Sequence, residues 1–92
     1  MRNYFADVRG LGAVVPLCEM LRDQDRTLRQ RALFVLGNMC SVAVDPASAA
    51  TKTALLAAGG AAAMLACARD EELEVLLLAC GALQNLSHHP AW

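Results

Sequence analysis

A chain of 92 residues can bury one small core and is too short for a separate catalytic domain around a deep cleft. Its residues are 57% hydrophobic but only 4% aromatic, so that core is made mainly of Ala, Leu and Val, which favours an all-α fold. A formal net charge of −1, without a long run of like charge, excludes both a basic nucleic-acid stripe and a polybasic membrane patch, so neither is an expected partner.

Residues 3–8 read as a short amphipathic helix with Phe5 and Val8 on one face, ended by Gly10. The next apolar pattern runs through Leu11, Val14, Val15, Leu17, Cys18 and Leu21. Pro16 falls inside it and is tolerated if the helix starts near Ala13, which puts the proline in the first turn, or if the helix kinks. The polar run 22–26 is a turn, and Asp25 is the N-cap of a long helix over about 26–42. Asp45-Pro46 breaks the chain, and 44–50 reads as a loop in which Ser48 or Thr51 caps the next helix. That short helix, over 51–58, carries Leu55 and Leu56. Gly59-Gly60 interrupts it, and a second over 61–68 carries Met64, Leu65 and Cys67. After the Arg69-Asp70 turn, Glu71-Glu72 sit where a helix N-terminus favours negative charge. The last helix covers about 71–87 and stops before His88-His89-Pro90.

Cys18, Cys40, Cys67 and Cys80 form no Cys-x-x-Cys pair, and each lies in an apolar helical stretch. That pattern predicts buried reduced thiols in an intracellular protein rather than a disulfide framework or a zinc site. The N-terminus lacks the apolar core of a signal peptide. Residues 54–68 carry no charge, but they fall short of the roughly 20 residues of a spanning helix and contain Gly59-Gly60. They read as two short helices of a soluble protein; the alternative is a small membrane-associated protein anchored there. Cys80 sits near His88 and His89, but a cysteine on a buried face without oxyanion donors or a third residue makes no catalytic site. No catalytic residue, metal or cofactor is expected.

The long helices are related. Leu28, Ala32, Leu36, Asn38 and Met39 match Val75, Ala79, Leu83, Asn85 and Leu86, each pair 47 residues apart. The earlier elements align at an offset of 50, Gly10 with Gly60 and Val14 with Met64, which reads as about one extra turn near 19–25. Two copies of a short, a medium and a long helix predict a repeat protein, with repeat one over about 1–43 and repeat two over about 51–88. Leu28, Ala32, Leu36 and Met39 are the expected inter-repeat core. Tyr4, Phe5 and Val8 would face a preceding unit, and Leu83 and Leu86 a following one. Two units are fewer than the three or so that such arrays usually need, which predicts a fragment of a longer array or self-association through uncapped ends.

The second unit reads Ala57-Ala-Gly-Gly-Ala-Ala-Ala-Met-Leu, then Arg69-Asp-Glu-Glu-Leu-Glu-Val, then Ala79-Cys-Gly-Ala-Leu-Gln-Asn-Leu-Ser. This order resembles the armadillo repeat: Gly-Gly, an apolar-rich stretch, a polar turn, and a long helix ending Ala-Leu-x-Asn-Leu. The resemblance covers nearly the whole chain and implies an all-α, α-α superhelix (an armadillo-type solenoid) of two three-helix repeats. It implies a non-enzymatic interaction module that binds an extended peptide or helical partner along the long third helices, or else spacer repeats of a larger armadillo or HEAT-type scaffold. The family's groove asparagine falls on Asn38 and Asn85, whose carboxamides offer both a donor and an acceptor to a peptide backbone. One turn earlier, importin-type repeats carry a tryptophan; Phe34 and Gly81 stand there, so recognition of basic nuclear-localisation peptides is not expected. Arg31 and Leu78 lie a further turn back and complete the candidate peptide groove, and Arg29 with Arg31 would favour an acidic ligand.

Overall fold

In the computed structural model, residues 12–44, 47–69 and 72–88 are described. They form five helices: α1 (Val14–Met20), α2 (Arg26–Met39), α3 (Ser48–Ala57), α4 (Gly60–Cys67) and α5 (Leu73–Leu86). The fold is all-α, with no strand among the described residues. The helix expected over 3–8, the breaks at Gly10 and Asp45-Pro46, Glu71, and the His89-Pro90 stop lie outside the described residues.

Local chemistry accounts for most of the boundaries. Pro16 is the third residue of α1, where a backbone N–H would have no partner within the helix, so the proline removes no helical bond. Asp25 has extended backbone, and its Oδ1 accepts the Thr27 N–H at 2.8 Å, which caps α2. Asp25→Ala is expected to lower the unfolding free energy by about 1 kcal/mol. A urea titration followed by far-UV circular dichroism reads this loss, and an unchanged midpoint would show the cap to be dispensable.

Two boundaries differ from expectation. The second helix stops at Met39 rather than 42: Cys40 caps it and is buried, while Val42, a turn beyond the last helical residue, is 70% exposed and adds nothing to the core. The third begins at Ser48 without a side-chain cap. Ser48 is the first helical residue, one past the N-cap position that Ala47 takes, and it is buried with Thr51, Lys52 and Leu55 on the inner face of α3.

The chain turns sharply between α3 and α4, whose axes meet at 87°. Gly59 occupies the corner with φ +75°, a left-handed conformation that costs glycine little. Its carbonyl accepts a hydrogen bond from Arg22 Nη2 at 3.1 Å, and the Cys67 thiol donates to the Leu21 carbonyl at 3.4 Å. These two bonds tie both ends of α4 to the turn between α1 and α2. No single helix among the described residues is long and apolar enough to cross a membrane.

The long helices pack most extensively against each other, and α4 packs against α5 much as α1 packs against α2. Each long helix has 14 residues, and their starts and ends are 47 apart. Asp25 and Glu72, with matching extended backbone, precede them. The left-handed glycine that matches Gly59 is Gly12, φ +73°, again 47 residues earlier. A single offset therefore relates the halves from Gly12 onward, without the extra turn near 19–25 that pairing Gly10 with Gly60 requires.

The core gathers from both halves. Ala32, Leu36, Met39, Val75, Ala79 and Leu86 are buried in it, as are Leu33 and Ala82. Leu28 is only half-buried and outside it, and Leu33 takes the expected place. Leu86, expected to be open toward a following unit, is fully buried, as its counterpart Met39 is; Leu83 is half-buried. Cys18, Cys40 and Cys67 are buried as expected, but Cys80 is exposed. Cys80 is the counterpart of Leu33, which α5 covers; no described helix follows α5 to cover Cys80 in the same way.

Candidate functional site

The seam between α2 and α5 is built by three contacts in the same order on both helices, so the helices run in the same direction. Near their starts, Gln30 Nε2 donates to Glu74 Oε2 at 2.6 Å. In the middle, the helices approach closely at Gly37, where an added Cβ would lie 3.5 Å from the Ala82 Cβ. Toward their ends, Asn85 Nδ2 donates to the Gly37 carbonyl at 3.0 Å. That carbonyl lies in the last turn of α2, and the Ser41 N–H that could have reached it donates to Asn38 instead. Asn85 thus caps a carbonyl at the end of the neighbouring long helix.

Along the seam lie two adjoining open depressions. The smaller, about 200 Å³, brings together Phe34, Asn38, Leu78, Gly81 and Asn85, five of the six residues expected to line a groove. The larger, about 520 Å³, lies toward the helix starts and includes the sixth, Arg31, with Phe34 and Leu78 shared between the two. Phe34 is 60% exposed and stands as a wall between them. Leu77 is also exposed and lines the smaller one, although its sequence position beside the matched residues gave no reason to single it out. Asn38 is half-buried at this site. At Gly81 an added Cβ would meet nothing within 4 Å, so the glycine leaves open space in the depression that Phe34 and Leu77 also line.

Arg29 does not join this groove. Its Nη1 turns back to the carbonyls of Asp23 and Gln24, at 2.8 and 2.9 Å, near the start of α2. There it lines a separate depression of about 430 Å³ with Arg22, Asp23 and Arg69. The fold thus brings Arg22 and Asp23 of one charged turn beside Arg69 of the other. Arg26 also reaches Glu72 at 3.4 Å, an exposed pair of small energetic consequence.

Two of the buried cysteines, Cys18 and Cys40, are poor nucleophiles. Burial pushes the Cys40 thiol up to about 11, against a smaller opposing effect of Lys52, and burial also raises the Cys18 thiol. Both shifts run opposite to the lowered pKa of a reactive thiol. Among the described residues, no three His, Cys, Asp or Glu side chains are placed to hold a metal ion. What the seam offers is an apolar shelf, two carboxamides and a guanidinium on rigid helices. No family model matches this chain, and no curated protein or solved structure matches it significantly.

Proposed function

We propose that this chain is a non-enzymatic protein-interaction module of armadillo type, an α-solenoid of two repeats that binds an extended peptide along its long helices. The observation that carries the reading is the convergence of Phe34, Asn38, Leu78, Gly81 and Asn85 around one open depression. The single 47-residue offset of the helix pairs supports the repeat, since α5 covers on α2 the face that each unit would otherwise leave apolar. The counterpart of α3 in the first repeat falls on residues 1–10, outside those described. An intracellular setting belongs to the same reading, as armadillo-type scaffolds with unpaired cysteines act there.

The test is selection of a random dodecapeptide phage library on the whole chain, with the bound peptides mapped by amide chemical shifts. Shifts are expected at Arg31, Phe34, Asn38 and Leu78. Phe34→Ala should weaken binding about tenfold, equivalent to about 1.4 kcal/mol. Failure to select a peptide, or shifts confined to other surfaces, would overturn the groove.

One observation favours a second reading, spacer repeats within a larger scaffold. The Asn85 carboxamide donates to the adjacent long helix, which is structural work between units rather than ligand contact. A spacer would select no peptide, so the same experiment separates the two.

A further inference from the structure

The groove has a chemical polarity along its length. No residue around the smaller depression is charged. Around the larger one a single charged residue appears, Arg31. Its side chain is exposed, and no ion pair or hydrogen bond with a described residue engages it. The nearby carboxylates are occupied: Glu74 accepts from Gln30 at 2.6 Å, and Glu72 lies 3.4 Å from Arg26. Among the described residues that line the two depressions, the guanidinium is thus the one charged group, and a carboxylate is its natural complement because two parallel N–H donors match two oxygens.

At the other end, the depression beside Gly81 holds about 200 Å³ between Phe34 and Leu77. Small-molecule sites usually offer roughly 300–1,000 Å³ and enclose their ligand, so this open hollow fits one bulky apolar side chain of a longer segment. The lining residues on α2 place the two depressions about four positions apart, about 6 Å at ~1.5 Å per residue. An extended chain puts residues i and i+2 on the same side at about that separation.

We propose that the seam selects an extended acidic-apolar segment: a large apolar side chain in the Gly81 depression and an Asp or Glu two residues away on Arg31. The proposal rests on the groove reading above and adds the ligand class to it.

The test uses the dodecapeptide library on the whole chain, followed by fluorescence anisotropy with the synthetic consensus peptide and its acid-to-lysine version. The expected consensus has a large apolar residue and an acid two positions apart, with the lysine version bound at least tenfold more weakly. Arg31→Glu should reverse that preference, and Gly81→Trp should abolish binding while circular dichroism stays unchanged. If binding is lost in Gly81→Trp but acid and lysine peptides bind wild type equally, the charge assignment falls and the groove survives. If no peptide is selected, or binding is indifferent to Gly81→Trp, the groove falls with it.

Discussion

Leu36→Ala is expected to lower the unfolding free energy by about 2–5 kcal/mol, the range for truncating a large aliphatic side chain in a core that cannot fully collapse. Leu36 is completely buried near the end of α2, the helix that packs against both α1 and α5. Truncation therefore leaves a hole bordered by several elements rather than a dent at an edge. A domain of this size is stabilised by only about 5–14 kcal/mol, so the loss should be plain in a urea titration and should bring the midpoint sharply down. Its counterpart 47 residues later, Leu83, provides an internal control because it is half-buried. The same truncation there should cost about 1 kcal/mol, as less apolar surface is removed from the core. Equal losses at the two positions would mean that α5 is as enclosed as α2, contrary to the packing described.

The Leu36 and Leu83 pair also shows what a sequence can carry about this fold. Matched positions are legible because one helical period and one chemical pattern recur, and both helices form where the pattern places them. Their burial is not legible, because it depends on what lies beside each copy. Leu33 and Cys80 are equivalent in register, yet one is covered by α5 and the other is exposed. The Asp25 cap and the Gly59-Gly60 break are legible because each rests on local backbone chemistry. Gly12 is easily passed over for Gly10, because composition says which residues can adopt a left-handed conformation, not which one does. At the seam, five of the expected residues converge, since side chains one turn apart on parallel helices share a face. The directions of long polar side chains are the part that sequence leaves open. Arg29 and Arg31 look alike on paper, but one curls back to the carbonyls of Asp23 and Gln24 while the other borders the seam.

Gly60→Ala is expected to destabilise the chain by about 1–3 kcal/mol, for a reason distinct from that of its neighbour. Gly59 is bound by conformation: at φ +75° a side chain is strained, at a cost of roughly 1–2 kcal/mol. Gly60 is bound by space. A Cβ there would lie 2.5 Å from Leu55 Cγ, 2.6 Å from its Cδ2 and 2.9 Å from its carbonyl oxygen. Leu55 is fully buried, so its side chain cannot swing away without opening a cavity, and the carbonyl can retreat only if the 87° corner opens. Alanine gains up to about 1 kcal/mol over glycine in helix propensity, and overpacking must exceed that for the net effect to be a loss. The double variant Leu55→Ala/Gly60→Ala separates the two effects. Leu55→Ala alone should cost about 2–5 kcal/mol. With the leucine gone, the added methyl at position 60 should be neutral or stabilising, giving a favourable coupling of at least about 1 kcal/mol in the cycle. Strict additivity would place the requirement for Gly60 in its backbone rather than in the contact with Leu55. The corner between α3 and α4 would then be set by two conformational glycines instead of one conformational and one steric.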